Sequence, residues 1–270
     1  MQTIINGINL AYDDHGTGLP VVLIHGFPLC RKMWHPQVQK LTEAGYRLIL
    51  PDLRGFGESD APDGPYSVEQ FADDVIALLD HLCIEKAVVG GMSMGGYVLF
   101  DLCERYPGRL AGACFITTRA VADDEAGKAR RLQLAQEVMK FGPQVVAAAF
   151  EKLLFAEASL TERPKLVAEV CRWMTANDSR GLAGGLLAMR ERKDYTALLP
   201  TFTLPALAIG AAGDKAAPPE LSRAIATAIP GCRHCIVPDA GHLANLEHPG
   251  AFNRCLLDFL EEVAGKGNAC

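Results

Sequence analysis

The stretch from Val88 to Tyr97 leaves the rest of this chain little freedom in how it folds. An apolar run, Ala87-Val88-Val89, stops at the paired glycines Gly90 and Gly91, and a helix-like pattern begins at once after it. At the junction lies Gly91-Met92-Ser93-Met94-Gly95, a match to G-x-S-x-G. A serine on a sharp strand-to-helix turn sits in strained backbone with its hydroxyl pushed into the open. The residues two before and two after it must lack a side chain, or their Cβ atoms would meet the neighbouring strand and helix. Gly91 and Gly95 meet that demand, and Gly96 adds slack. The helix that starts near Met94 turns its free N–H groups toward the serine, which suits developing negative charge. An ordinary glycine-rich turn can carry the same residues; the strand before, the helix after and the partners further along distinguish this one.

Around that turn the pattern predicts alternating strands and helices. Thr3–Ile5 and Ile8–Tyr12 flank Asn6-Gly7 as a hairpin. Val21–Ile24 and Tyr46–Leu50 are continuous apolar strands, of the kind buried on both faces of a parallel sheet. A helix is expected from about Met33 to Ala44, and Ser67-Val68-Glu69-Gln70 is a capping box opening a helix over Phe71–Leu82. Arg109–Thr117 supplies another buried strand. From Arg119 to Leu199 the rhythm breaks into helical stretches, Glu125–Phe141, Pro143–Phe155, Leu160–Thr175 and Ser179–Arg190. It then resumes with a strand at Pro205–Ile209, a helix at Pro218–Ile229, a strand at His234–Val237 and a helix at Pro249–Val263. The expected architecture is α/β: a mostly parallel, doubly wound sheet built from residues 1–118 and 200–264, a helical cap inserted at 119–199, and a flexible tail at 265–270.

In an open parallel sheet the loops after the strands' carboxyl ends meet at one rim. Four such loops here carry chemistry: His25-Gly26-Phe27, the Ser93 turn, Gly210-Ala211-Ala212-Gly213-Asp214 and Asp239-Ala240-Gly241-His242. Ser93, Asp214 and His242 stand in the chain order expected of a serine nucleophile, its acid and its base on such a sheet. His242 would take the serine proton, and Asp214 would fix the imidazole tautomer and stabilise the imidazolium. Asp239 competes for the acid role, but it lies three residues before His242, badly placed for the far imidazole nitrogen. An oxyanion needs two aimed N–H donors, which Met94 and Phe27 are positioned to supply. His25 competes with His242 for the role of base, but it sits at a strand end before a glycine, where holding the loop by hydrogen bonds is its expected job. Asp52 and Arg54 sit in a rim loop within reach of a substrate, but are expected instead to pair and brace the turns at Gly55 and Gly57.

Composition closes off other classes. The net charge of −6, with no basic run, gives no footprint for nucleic acid. No apolar run is long enough to span a bilayer. Met1-Gln2-Thr3-Ile4 lacks the basic and apolar regions of a secretory signal. Most of the nine cysteines, among them Cys83, Cys103, Cys114, Cys171 and Cys255, lie inside apolar patterns. That use suits small core residues in a reducing cytoplasm and not a disulfide framework. Cys232 and Cys235 form a C-x-x-C without a second pair at zinc spacing, so they read as unrelated thiols. Cys270 ends a polar tail and is expected to be exposed.

Taken together, His25-Gly26-Phe27-Pro28, Asp52-x-Arg54-Gly55-x-Gly57-x-Ser59, Gly91-x-Ser93-x-Gly95-Gly96, Gly210-x-x-Gly213-Asp214 and Gly241-His242 resemble the α/β-hydrolase superfamily over nearly the whole chain. Gly64-Pro65-Tyr66-Ser67 leading into Phe71-Ala72-Asp73-Asp74-Val75 is similar to the 3-oxoadipate enol-lactonases and their esterase relatives. His25–Leu29 with Ser93–Gly96 resembles the aryl esterase/perhydrolase group. Ser93 stands where haloalkane dehalogenases and epoxide hydrolases carry a carboxylate, which disfavours both chemistries.

The resemblance implies a serine hydrolase of small to medium carboxylic esters, with no metal or organic cofactor. The rivals on the same residues are a lactonase, a perhydrolase and a C–C hydrolase. The rival of another class is a relative that only binds a small ligand, and an intact serine, histidine and aspartate weigh against it. The expected partner is a small ester or lactone, and the chain could be a monomer or a homodimer. The substrate pocket is expected among Phe27, Leu29, Trp34, Met92, Met94, Phe150, Phe155, Trp173, Met174 and Met189, with core packing the competing role for each. Arg119, Arg130, Arg131, Arg190 and Arg192 are the basic residues available to a dicarboxylate-like substrate, though a solvated charged helix face is the plainer role.

Overall fold

A computed structural model of the chain describes residues 1–267. Strand β1 (Gln2–Ile5) turns through Asn6 and Gly7, both at positive φ (46° and 80°), into the antiparallel β2 (Ile8–His15). Two left-handed residues in a row are what a two-residue hairpin turn of this hand requires. After β3 (Leu19–Ile24), a short 3₁₀ turn at Arg31–Trp34 leads into helix α1 (His35–Glu43). The expected single helix from Met33 therefore has a tighter first turn. Then come β4 (Tyr46–Pro51), α2 (Val68–His81), β5 (Ala87–Met92), α3 (Met94–Arg105) and β6 (Leu110–Ile116). Ser67 caps α2 by accepting the Gln70 N–H at 3.1 Å.

Between β6 and the next strand lie only helices: α4 (Glu125–Phe141), α5 (Gln144–Leu154), α6 (Glu157–Glu162), α7 (Pro164–Thr175) and α8 (Ser179–Glu191), followed by a 3₁₀ turn at Thr196–Thr201. The expected helix over Leu160–Thr175 is two helices, because Pro164 cannot continue one from its N-terminal side and Arg163 adopts φ −125°, ψ 52°. The chain closes with β7 (Ala206–Ala211), α9 (Pro219–Ala228), β8 (Arg233–Val237), the one-turn α10 (Ala244–Glu247) and α11 (Pro249–Gly267). Helix α11 runs past Val263 into the expected tail, and Cys270 lies outside the described residues.

The eight strands form one sheet in the order β1-β2-β4-β3-β5-β6-β7-β8. Six of them, from β4 to β8 in that order, are parallel, and β1 and β2 add an antiparallel edge. β5 lies near the middle, fully buried along its length, with hydrophobic clusters on both sides of the sheet. Topology and register bring the ends of β3, β5, β6 and β7 side by side: Ile24 opposite Gly91, Met92 opposite Ile116, and Ile116 opposite Ile209.

Glycines set how closely the helical segment meets this sheet. On α8, a Cβ at Gly181 would overlap the Gly55 carbonyl, one at Gly184 the Tyr66 ring, and one at Gly185 would lie 2.7 Å from the Phe56 ring. Only a bare backbone lets α8 rest on those loops. Asn177, just before α8, ties the same regions together: its amide donates to the Pro28 carbonyl at 2.9 Å and its carbonyl accepts the Gly57 N–H at 2.8 Å.

Two expectations about side-chain partners are corrected. Asp52 and Arg54 do not pair. Asp52 holds the Arg31 guanidinium and accepts the Arg31 and Glu58 N–H groups (2.7 and 2.9 Å), whereas Arg54 makes a two-pronged pair with buried Asp74 at 2.6 and 2.7 Å. Asp52 still braces the turn, since a Cβ at Gly57 would overlap its carboxylate. The thiols differ too. Cys235 on β8 is disulfide-bonded to Cys255 on α11, their Cα atoms 6.3 Å apart, so Cys255 is not a free core residue. Strand and helix pack face to face there, which sequence spacing does not reveal. Cys232 stays free and unlinked to Cys235.

Candidate active site

Ser93 follows β5 directly and serves as the N-terminal cap of α3, with φ 53° and ψ −110°. A non-glycine residue held there is strained, and such strain collects at functional sites. The neighbours make the turn possible. A Cβ at Gly91 would overlap the Gly95 carbonyl, and one at Gly95 would sit 2.5 Å from the Ile24 oxygen. Gly96 is not slack. Its missing side chain makes room for Thr118, whose hydroxyl donates to the Ser93 carbonyl at 2.8 Å. The Ser93 N–H donates to the Ile116 carbonyl at 2.9 Å, so the turn is bonded to the end of β6 from both sides.

The other rim loops converge on it. His242 Nδ1 lies 2.7 Å from Asp214 Oδ2, both side chains buried. The second oxygen, Asp214 Oδ1, accepts the N–H groups of Ala216 and Ala217 at 2.8 Å each, which fixes the carboxylate's plane. Asp239 sits exposed in a left-handed turn (φ 54°), away from this contact. Ser93 and His242 line one cavity of about 340 Å³. Gly26 packs onto the serine turn, where a Cβ would stand 3.3 Å from Ser93 Cβ, and Phe27 lines the same cavity as Ser93. Met94 is the first residue of α3, so its N–H is one of the donors a helix leaves unpaired.

His25 is fully buried, with Nε2 accepting the Leu53 N–H (3.1 Å) and Nδ1 facing the Gly26 carbonyl (3.1 Å). Those partners require the proton on Nδ1, and burial pushes its pKa below the ordinary value, so it holds the loop as a neutral imidazole.

Of the expected pocket residues, Phe27, Phe150 and Met189 line the cavity. Phe27 meets Phe150 and Phe56 edge to face, with ring centroids 5.3 and 6.0 Å apart. The structure does not bring Leu29, Trp34, Met92 or Trp173 into its wall. Leu29 and Trp34 are fully buried in the second core, Trp34 against Phe252, and Met92 and Trp173 pack into the same cluster. Met94, Phe155 and Met174 are buried core residues as well.

The wall carries charge that apolar pattern reading discounts. Arg119, Arg130 and Arg131 line it, together with Asp123. Burial alone would raise the Asp123 pKa, but hydrogen bonds and charge from Arg192 and Arg131 outweigh it and hold the carboxyl well below its usual range. Arg192 is buried, paired with Asp123 at 2.8 Å and stacked over Tyr97, and does not reach the cavity; Arg190 pairs with its neighbour Glu191. Arg119 donates to the Ala216 carbonyl, and its Nε has no partner among the described residues.

Sequence reasoning missed Tyr97, Leu153, Leu154 and Thr117 as lining residues. Thr117 had a readable signal, its place directly after a rim strand. It is a β-branched residue at φ 40°, 1% exposed, with no partner for its hydroxyl among the described residues. Leu153 and Leu154 end α5, where periodicity gives the face but not what it covers.

A parallel sheet with a strained serine after its central strand, and a buried histidine–aspartate pair facing the same cavity, defines the architecture of an α/β hydrolase. Residues 20–249 match the family model for the alpha/beta hydrolase fold, and the chain belongs to that family. It is similar to a thermophilic esterase from Thermogutta terrifontis solved with malate bound (38% identity, TM-score 0.95, covering 97% of this chain and 99% of that one). It is also similar to an enol-lactonase from Burkholderia xenovorans LB400 (30% identity, TM-score 0.90, covering 97% and 100%). A third likeness is to a bromoperoxidase from Bacillus anthracis (28% identity, TM-score 0.84, covering 94% and 96%). Among the described residues no helix is long and apolar enough to cross a membrane.

Proposed function

We propose that this chain is a serine hydrolase of small carboxylic esters working through an acyl-enzyme. The observation that carries the reading is the 2.7 Å contact between Asp214 and His242, in a cavity that His242 shares with the strained Ser93. Asp214 keeps the proton on His242 Nδ1 and leaves Nε2 free as base. Nε2 takes the Ser93 proton as Oγ adds to the ester carbonyl. The N–H groups of Phe27 and Met94 stabilise the oxyanion, aided by the positive end of α3. The imidazolium then protonates the leaving alcohol, and the same nitrogen activates water to release the acid. Helices α4 to α8, in the segment 119–199, act as the cap that roofs the cavity. Its volume of about 340 Å³ lies at the small end of ligand sites and supports short acyl or aryl groups. We place the enzyme in the cytoplasm because its six free cysteines among the described residues outnumber the two joined in the Cys235–Cys255 disulfide.

A lactone is an internal ester, and one observation favours a lactonase reading for acid-bearing substrates. Arg119, Arg130 and Arg131 face the cavity against the single carboxylate of Asp123, so its wall is net positive. The enol-lactonase relative points the same way.

The test is hydrolysis of a p-nitrophenyl ester chain-length series beside neutral and carboxylate-bearing lactones, with Ser93→Ala as control. Short esters cleaved by wild type and not by the variant support the esterase. Faster turnover of the acidic lactone, weakened by salt and by Arg130→Ala, moves the assignment to the lactonase. No turnover of any substrate, or equal rates in both proteins, overturns the catalytic reading in favour of a binding protein.

A further inference from the structure

Glu247 lies five residues past His242, at the end of α10, and is fully buried. Its carboxylate has no cation partner among the described residues. Its two oxygens instead accept two backbone N–H groups from distant places: Oε1 takes Gly241, the residue before His242, and Oε2 takes Ala156, between α5 and α6, each at 2.9 Å. The segment Leu154–Ala156 presses on the histidine loop at two further points. Leu243 N–H donates to the Leu154 carbonyl at 3.2 Å, and a Cβ at Gly241 would stand 2.6 Å from the Phe155 carbonyl carbon. Arg163, just before α7, closes the group by donating to the Glu247 carbonyl.

Burying a carboxylate is costly unless its oxygens are satisfied, and here both are spent on this junction. The segment it grips ends α5, whose Phe150, Leu153 and Leu154 form part of the cavity wall. We propose that Glu247 is a positioning residue for His242, a clamp that seats the histidine loop against the end of α5 and so couples the cap wall to the base. The proposal rests on the reading of His242 as the base. Glu247 touches neither substrate nor reacting atoms. Its effect passes through the backbone at Gly241, and small displacements of a catalytic group cost large factors in rate.

Two variants test it from opposite ends. Glu247→Gln keeps the shape but offers one acceptor oxygen, so one of the two N–H groups faces an amide NH₂. Ala156→Pro removes the other end's donor and puts its Cδ where the N–H pointed at Glu247 Oε2, so it breaks that contact outright. Ala156 has φ −60° and Phe155 has φ −105°, ψ 149°, both values that a proline and its predecessor adopt. The expected result for each is kcat on p-nitrophenyl acetate lowered about tenfold or more, with KM changed less than about threefold. Loss of fold alone would instead lower the number of sites titrated by an organophosphonate, without slowing those that remain. Either variant keeping wild-type kcat per titrated site overturns the clamp, and if one fails to fold the other decides. A readout independent of turnover is the low-field proton NMR signal of His242 Nδ1–H, which should broaden in both variants. If wild type hydrolyses nothing, the ester-hydrolase reading has failed, and this signal still decides the clamp: unchanged line width in the variants refutes it.

Discussion

Asp214→Asn is the sharpest perturbation of the proposed chemistry, because the structure dictates how the new amide must sit. Asp214 Oδ1 accepts two N–H groups, from Ala216 and Ala217, while Oδ2 faces His242 Nδ1. An asparagine has one carbonyl oxygen. Placed at the Oδ2 position, it would aim the NH₂ group at both N–H donors and leave them unpaired, at about 1–3 kcal/mol for the buried Ala217 group and less for the part-buried Ala216 group. The oxygen therefore stays with Ala216 and Ala217, and the NH₂ faces His242. The imidazole must then accept at Nδ1 and carry its proton on Nε2, the nitrogen that should take the Ser93 proton. A wrong tautomer in an otherwise intact site costs about 10⁴ in kcat, or about 5.5 kcal/mol of transition-state stabilisation. The assay is p-nitrophenyl acetate hydrolysis at neutral pH, beside a thermal melt to show an intact fold. Asp239→Asn is the control: the residue is exposed, and asparagine tolerates its left-handed turn (φ 54°), so activity within about twofold of wild type is expected. Asp214→Asn within tenfold of wild type, or Asp239→Asn falling below it, would refute the assignment of the acid.

Other outcomes follow from packing and charge. Gly95→Ala puts a Cβ 2.5 Å from the Ile24 oxygen and 2.9 Å from the His25 oxygen, both backbone atoms, so it should cost about 1–3 kcal/mol by urea unfolding and depress activity further by shifting the Ser93 turn. Wild-type stability would show that the β5–α3 junction is looser than drawn. Asp74→Ala strands the buried Arg54 guanidinium and should cost about 3–5 kcal/mol, read by the same titration, while leaving KM for short esters nearly unchanged. His25 has a folded pKa held below its ordinary 6.5 by burial, so the unfolded chain binds the extra proton first. Its contribution is present above pH 6.5 and fades as pH falls toward the folded value, at up to about 1.4 kcal/mol per pH unit. The stability gap between wild type and His25→Gln should therefore narrow from pH 7.5 to 5.5, and a constant gap would count against a neutral buried imidazole.

The parts legible from sequence are those where local chemistry admits one solution. A β-branched run between turn residues is a strand wherever it lies in the chain, and the α/β rhythm then orders the sheet. The Ser93 turn was readable because its glycines answer local collisions, Gly91 with Gly95 and Gly95 with Ile24. Asp214 and His242 were readable because a parallel sheet delivers loop residues to one rim whatever the intervening chain does. Side-chain pairing across the fold was not. Asp52 and Arg54 are near neighbours in sequence, but the strand end turns them apart, one to Arg31 and the other to Asp74 on α2. Cys235 and Cys255 are brought together by the packing of α11 on β8, which no spacing rule specifies.

The cavity was the least legible part, and the reason is geometric. Apolar periodicity says which face of an element is buried, but an apolar side chain can be buried equally well against core or against a ligand. Trp34 and Phe27 are both aromatic residues near the same loop, yet Trp34 turns into the second core against Phe252 while Phe27 turns toward Phe150 of α5. What separates them is where the helical segment lies, and that is set by contacts invisible in sequence: glycines of α8 on the Gly55 and Tyr66 loops, Asn177 on Pro28 and Gly57, and Glu247 on Gly241 and Ala156. Each of these joins the helical segment to a rim loop that carries a proposed catalytic group or stands beside one. On the proposed reading the chemistry of such a site is written in local motifs, and its selectivity in long-range bonds between the helical segment and the rim. Substitutions at Asn177 or Gly184 should accordingly change which esters are taken more than whether esters are cleaved, seen as a shift in the chain-length profile of kcat/KM with acetate turnover kept within about threefold. A uniform loss across all chain lengths would mean that these contacts hold the catalytic groups themselves.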